Sequence, residues 1–326
     1  MKIEILTTSM TTRKQYDISN LCSPPNWTTS LKSQPGKLEF EMLESDQVAI
    51  KSGDEIMIKV NDVNIFKGRV FTETLRGKND FLTKVIAYDQ TRYLQNEDTL
   101  IFNANTLVDR FKKICQTQGI PHKVLDSVAY KCAAVLENKH TYYSMLESAI
   151  EETATLGGQR FAFWDNFGTM ELFNLNRGIT NLVIGDKSLM TDFTLTKTID
   201  DSANAVKILR EDKEKGKREI YSATNAKNIE KWGKLQVVET ISDADLNASQ
   251  LKARANELLR KKNVEIISAD IDAIGDLSIR AGKSFTWRNS KTTEYGVGHD
   301  TLVLVTRCVH TISQTPTMSL EVEVIG

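Results

Sequence analysis

The stretch "DIDAIGDLSIRAGKSFTW", residues 270–287, contains Gly282-Lys283-Ser284, the triplet that ends a phosphate-binding loop. Its reading decides between a nucleotide-binding α/β fold and a strand-rich one. A phosphate loop needs a glycine five positions before the glycine of the triplet. Leu277 stands there, and the nearest preceding glycine is Gly275. Main-chain N–H groups in that spacing would not converge on a phosphate. The triplet should also open a helix, whose N-terminus favours an anion. Instead "SFTWRNS" follows, where Phe285 and Trp287 alternate with polar residues as in a strand. The triplet therefore reads as a turn between two strands.

The same turn has an echo near the start of the chain. "KSGDEIMI", Lys51 to Ile58, and "RAGKSFTW", Arg280 to Trp287, share one order. Each runs basic, small, glycine, two polar residues, then apolar-x-apolar. Each opens a strand in a β-rich region, which is consistent with two related barrels.

Working outward, the first ninety or so residues alternate with period two. Leu38, Phe40 and Met42 mark one strand, and Ile56, Ile58 and Val60 another. "NIFKGRVF" and "FLTKVIAY" follow turn signals at Asn61-Asp62 and Gly77-Lys78-Asn79. Short strands at such intervals predict a small barrel or sandwich. The middle changes period. Leu107, Val108, Phe111, Ile114 and Cys115 share a helix face, with Asn105 as its cap and Gly119 and Pro121 ending it. A second helix begins near Thr141 and stops at Gly157-Gly158, before a hairpin around Asn166-Phe167-Gly168. Farther on, "VKILRE" and "REIYSA" flank the charged turn "EDKEKGK", and a helix spans about 244–262. Its apolar stripe is Ala244, Ala248, Leu251, Ala255 and Leu258, with Asp243 and Asp245 before it and Arg260, Lys261 and Lys262 at its end. The closing hairpin puts Met318, Leu320, Val322 and Val324 on one face, and Glu321 and Glu323 on the other. The expected fold class is α+β and β-rich.

Composition narrows function. The chain has 326 residues and a net charge of −1, from 42 basic and 43 acidic residues. Such balance argues against a general nucleic-acid or membrane-surface binder. The N-terminus alternates like a strand and reads as no signal peptide, and no apolar run approaches a membrane span. Cys22, Cys115, Cys132 and Cys308 are irregularly spaced, which fits free thiols in a reducing cytoplasm better than a zinc site or a disulfide framework. His122 follows Pro121 in a loop, His140 precedes a helix, His299 lies in "YGVGHD" and His310 inside a strand. None has metal-ligand spacing. A Cys–His pair stays open. Asp270 and Asp272 alternate with Ile271 and share one strand face; a glycosidase needs only two acids on separate elements, but two like charges on one exposed face is the plainer reading. Glu151-Glu152 and Asp200-Asp201 read as solvated surface. Phe161, Phe163 and Trp164 could stack on a base or sugar, but Phe161 and Phe163 alternate as core residues do. No catalytic, cofactor or metal set emerges. The hairpin residues Glu211, Asp212, Lys213, Glu214, Lys215, Lys217 and Arg218 are a candidate partner contact, or a solvated turn.

Residues 88–102, "YDQTRYLQNEDTLIF", resemble a signature segment of the XkdQ/YqbQ-like family of phage and phage-like tail proteins. So do "GKLEFEML", "SGDEIMIKVNDVNIFKGRVF", "ANTLVDRFKKICQTQGI", "NIEKWGKLQVVETI" and "GDLSIRAGKSF", in chain order. Residues 211–226 and "RNSKTTEYGVGHD" match less closely. The family is similar to baseplate hubs of contractile tails, related to the late-control D group. The resemblance implies two tube-like β-barrel domains, 1–94 and 191–326, flanking a small α+β domain, 95–190. It implies a non-enzymatic homotrimer that joins a hexameric tail tube to a trimeric central spike. Other baseplate proteins and the tape measure are further implied partners, with no specific nucleic acid and no membrane. The particle, phage, prophage or bacteriocin, would be assembled in the bacterial cytoplasm. A tail-associated cell-wall hydrolase and a tail-tip carbohydrate- or receptor-binding module are the alternatives.

Overall fold

The computed structural model describes residues 1–325 apart from 33, 78–80, 213–216 and 242–246, with the backbone alone at 211, 212 and 217. The chain forms two compact units, Met1–Thr194 with Ala269–Gly326, and Leu195–Ser268.

The larger unit begins with β1 (Ile3–Thr8), β2 (Gln15–Asp17), β3 (Asn26–Ser30), β4 (Lys37–Leu43), β5 (Glu55–Val60), β6 (Val63–Arg76) and β7 (Leu82–Tyr88). Alternation in β4 and β5 sends Leu38, Phe40, Met42, Ile56, Ile58 and Val60 into one core with Val70, Val85 and Trp27. Asn61 and Asp62 join β5 to β6 with φ of 48° and 65°. Two positive φ values in a two-residue loop match the twist of the flanking strands, and Asn and Asp tolerate them.

The middle segment contains β8 (Glu97–Phe102), β9 (Asn105–Thr106), α1 (Leu107–Thr117), β10 (His122–Val124), β11 (Lys131–Cys132), β12 (Val135–Thr141), α2 (Tyr142–Leu156), β13 (Phe161–Asn166) and β14 (Thr169–Asn174). The predicted faces of α1 and α2 meet in a core with Phe161 and Leu172. The cap of α1 is Thr106, one residue after the expected Asn105. Its hydroxyl accepts from Asp109 N and the Asp109 carboxylate accepts from Thr106 N, a reciprocal box that Asn105 has no equivalent acid to complete. His122 lies in a short strand parallel to β14 rather than in a loop.

The chain then forms β15 (Ile179–Gly185) and β16 (Met190–Thr198), and passes into the smaller unit. That unit comprises β17 (Ala205–Asp212), β18 (Lys217–Thr224), α3 (Ala226–Trp232), β19 (Gln236–Ile241) and α4 (Ala248–Lys262). Its sheet runs β18-β17-β19, with α4 supplying Leu251 and Ala255 to a core with Val206 and Ile208. The expected helix start, including Ala244 and the acids Asp243 and Asp245, lies outside the described residues. The described helix starts at Ala248, capped by Asn247. Helix α3 carries no buried residue, which explains why periodicity did not reveal it. The last strands are β20 (Ile266–Ile274), β21 (Ser284–Arg288), β22 (Asp300–Thr311) and β23 (Thr317–Val324).

The main sheet contains a repeat. One run of neighbours is β1-β5-β6-β7-β4-β3, and another is β15-β21-β22-β23-β20-β16. Taken in chain order, the strands of each run fall in the same spatial order. The runs are joined where β3 pairs antiparallel with β22, Ser30 opposite Arg307 through Asn26 opposite Thr311. Among the described residues neither run closes on itself, so the barrels implied by the resemblance appear here as two six-strand groups of one sheet.

The echo proves to be the anchor of the repeat. Gly53 and Gly282 have φ of 92° and 91°. Gly53 N donates to Val70 O (2.7 Å), Asp54 N to Lys51 O (3.0 Å), and Val70 N to Asp54 O (2.9 Å). In the second copy Gly282 N donates to Val305 O (2.9 Å), Lys283 N to Arg280 O (3.0 Å), and Val305 N to Lys283 O (2.8 Å). A bulge follows in both, between Val70 and Thr72 and between Val305 and Arg307. The Gly-Lys-Ser triplet is thus a left-handed turn into β21, and no helix follows it.

Candidate functional site

Arg280, at the start of the second turn, is half-buried in the seam between the first repeat, the middle segment and the second repeat. Its guanidinium lies over the rings of Trp164 (4.7 Å) and Trp27 (5.4 Å), and Nη1 donates to the Asp165 carbonyl (2.9 Å). Flat faces on both sides suit a planar, weakly hydrated cation. Lys283 also reaches the Trp164 ring. No basic cluster is interleaved with Trp164 along the chain; both cations arrive from a segment more than a hundred positions away, as the Arg280–Asp165 bond records.

Two carboxylates share this interior. Asp89 follows β7 and accepts from Thr91 N (3.0 Å) and the Thr91 hydroxyl. Its own N–H donates to Gly36 O (3.0 Å). A side chain at Gly36 would put its Cβ 2.0 Å from Asp89 Oδ2, so only glycine admits this approach. Asp165, on β13, accepts from Gly168 N (2.8 Å), while its Oδ2 and Arg280 Nε have no protein partner. Burial pushes Asp89 up to about 6 against the pull of Thr91 and Arg280, and pushes Asp165 up to about 8, with the Asp89 charge adding to the effect. Burial also lowers Arg280, opposed by both carboxylates. The space among these groups is about 10 Å³, room for about one water and for no substrate.

The structure also brings a Cys–His pair together, Cys308 Sγ and His310 Nε2 at 3.1 Å. Both residues are fully buried, and His310 stacks on Trp27 and contacts Ile279 O (2.7 Å). Burial pushes the Cys308 thiol up to about 12 and lowers His310, the reverse of a thiolate–imidazolium couple. Cys22 and Cys115 are likewise raised to about 12 by burial, and all four cysteines are free.

Asp270 and Asp272 both lie on the exposed face of β20. Phe161 and Phe163 are core residues. Glu152 is not merely solvated: Oε1 accepts from Tyr130 OH (3.0 Å) and Ala133 N (2.8 Å), fastening the strand before β12 to α2. His140 contacts Glu137, and His299 contacts Asp300 (3.1 Å). Among the described residues no group of His, Cys, Asp and Glu could hold a metal ion. Of the candidate contact hairpin, Lys213, Glu214 and Lys215 lie outside the described residues, and the side chains of Glu211, Asp212 and Lys217 are undescribed. The strands leading to it pair from Ala205 opposite Thr224 to Asp212 opposite Lys217, and Arg218 is exposed.

Residues 25–323 match the YQBQ-like family. The chain belongs to that family. It is 26% identical over 237 residues to the phage-like element PBSX protein XkdQ of Bacillus subtilis (strain 168), covering 72% of this chain and 71% of XkdQ. Its fold is similar to that of the 43 kDa tail protein of prophage MuSo2 from Shewanella oneidensis, with a TM-score of 0.70, 14% identity and 98% of each chain covered. It is also similar to the E. coli c3393 protein, a type VI secretion component described as resembling the T4 tail proteins gp27 and gp5. There the TM-score is 0.56 and the identity 10%, over 100% of this chain and 74% of that one. The YQBQ-like chain thus shares its fold with a prophage tail protein and a type VI secretion component.

Proposed function

We propose that the chain is the baseplate hub of a contractile phage tail or phage-like particle. In this reading it forms a trimeric ring between a hexameric tail tube and a trimeric central spike. The observation that carries the reading is the repeat: one chain holds two six-strand groups of the same strand order, joined side by side in one sheet. A threefold assembly of such chains offers a sixfold set of equivalent sheets, which is what a symmetry adaptor requires. On this reading residues 1–94 and 191–326 build two tube-like barrels, the second taking its first strand from β15, and 95–190 is the α+β domain between them. The chain has no enzymatic role here. The space within the seam of Asp89, Asp165 and Arg280 holds about one water, so the seam serves to hold the segments together rather than to bind substrate. The 211–218 hairpin is a contact to a neighbouring baseplate protein. The particle is assembled in the bacterial cytoplasm. A density map of whole particles tests the reading: a threefold ring of this chain between tube and spike is expected, and a monomer on peripheral fibres overturns it. A peptidoglycan zymogram tests the enzymatic alternative, with no lysis expected.

A further inference from the structure

The repeat makes one stretch of the surface informative, because its counterpart is covered. In β22, residues 307–311 are paired on one side with β23 and on the other with β3. By the shared turn and bulge, Val305 corresponds to Val70, so 307–311 correspond to Thr72–Arg76 of β6. Those residues pair with β7 on one side. On the other side they have no neighbouring strand among the described residues. The difference is plain in burial: every residue from Thr72 to Arg76 is exposed, whereas Arg307–Thr311 are half-buried or buried.

The direction of the open N–H groups follows from the covered copy. Leu31 N donates to Thr306 O (2.9 Å) and Ile312 N to Pro25 O (2.9 Å). Alternation in an antiparallel pair then turns the N–H groups of Cys308 and His310 toward β3. Their counterparts, Glu73 and Leu75, turn theirs toward open solvent. An open edge of this kind is a template for another strand. Leu75 is 58% exposed and Phe81 53%, and a groove of about 350 Å³ runs beside Glu73, Leu75, Met42 and Ile50.

The other half of the joint is also open. The counterpart of β3 is β16, which ends the sheet and has no described neighbour on its outer edge. Each chain therefore has one closed joint, β3 with β22, and the two unpaired halves of the same joint, β16 and the edge of β6. We infer that the β6 edge at Thr72–Arg76 receives the outer edge of β16 from a second copy of this chain. The contact is heterologous, so it propagates head to tail and closes into a ring if the rotation allows. This rests on the hub reading above, and assigns the surface by which that ring forms.

The test uses the full-length protein. Glu73→Pro removes an edge N–H that the fold itself does not use, and proline is tolerated at such positions. Leu75→Lys leaves the backbone intact and adds the kind of charge that blocks edge pairing. Thr74→Pro, whose N–H faces β7, is the contrast and should lower Tm. Light scattering over a concentration series, alone and with the tail tube protein, reads assembly. Hydrogen exchange reads Glu73 and Leu75, expected to slow at least about tenfold on assembly together with β16. Wild type that assembles, with Glu73→Pro or Leu75→Lys monomeric at unchanged Tm, supports the inference. Assembly that survives both substitutions overturns the edge assignment and leaves the hub reading standing. Protection of Glu73 and Leu75 that needs only the tube protein, without self-assembly, overturns the second copy as occupant. Wild type that never self-associates overturns both.

Discussion

The two repeats share a turn, a bulge and a strand order, and differ in what each does with the residue two before the glycine. In the first, Lys51 is exposed and its turn faces solvent. In the second, Arg280 is half-buried against two indoles and beside two carboxylates. The loops diverge as well. Residues 31–36 suffice between β3 and β4, whereas 199–265, most of the smaller unit, stand between β16 and β20. Two residues join β5 to β6, against 289–299 between β21 and β22. The first strands even run oppositely, β1 antiparallel to β5 and β15 parallel to β21. Main-chain hydrogen bonds in the ladder are obligatory and hold the shared part fixed. Connections at the surface carry no such constraint and are where the copies vary.

The sharpest way to break the comparison is to neutralise the two basic residues in turn. Arg280→Met removes the cation that acts on both Asp89 and Asp165, and should cost roughly 3–5 kcal/mol, since a buried carboxylate is left without its counter-charge. Lys51→Met at the corresponding exposed site should stay within about 0.5 kcal/mol. Urea unfolding of both variants measures the contrast. Adding Asp165→Asn to Arg280→Met should recover part of the loss. Equal costs at the two positions would mean that the seam does not hold the second repeat.

The same carboxylates give the seam a pH dependence. Asp165 sits far above the ordinary carboxylate range in the folded chain and near 4 when unfolded. The folded state therefore binds more protons between those values, and stability falls as pH rises through them. From pH 5 to pH 8 the loss should be on the order of 1–3 kcal/mol. Asp165→Asn, which keeps an acceptor for Gly168 N, should flatten the dependence. Thermal unfolding across that range is the measurement, and a wild-type Tm that rises toward pH 8 would reverse the sign.

Much of the repeat was legible because it lies in local pattern. The alternation of β4, β5 and β23 and the stripe of α1 fix which faces are buried, and the glycine turn was readable as an eight-residue echo. The seam was not legible. Arg280, Asp89 and Asp165 stand far apart in sequence, each beside unremarkable neighbours, and long-range contacts such as the Arg280–Asp165 bond gather them. Phe161 and Phe163 were readable as core, but nothing local shows that the adjacent Trp164 receives a cation. The Cys308–His310 contact likewise depends on both side chains of β22 turning toward Ile279. Where the expected helix start and the tip of the charged hairpin fall, at 242–246 and 213–216, the sequence reading stands alone.

The finest test compares the two glycines themselves. Both hold φ near +90°, a conformation that costs an L-residue roughly 1–2 kcal/mol. A Cβ on Gly53 meets nothing within 4 Å, so Gly53→Ala should cost about that and no more. A Cβ on Gly282 meets the Phe173 ring at 3.0 Å and Leu31 at 3.4 Å, while Gly178 approaches the Gly282 carbonyl from the other side. Phe173 stacks on Trp164 at 4.0 Å, so it has little room to give way. Gly282→Ala should therefore exceed Gly53→Ala by about 1 kcal/mol, the usual scale of mild overpacking. The difference between the two variants, read from the same urea titration, cancels the shared backbone strain and leaves the packing alone. Equal losses would mean that Phe173 moves freely, and that the second turn is no more tightly enclosed than the first.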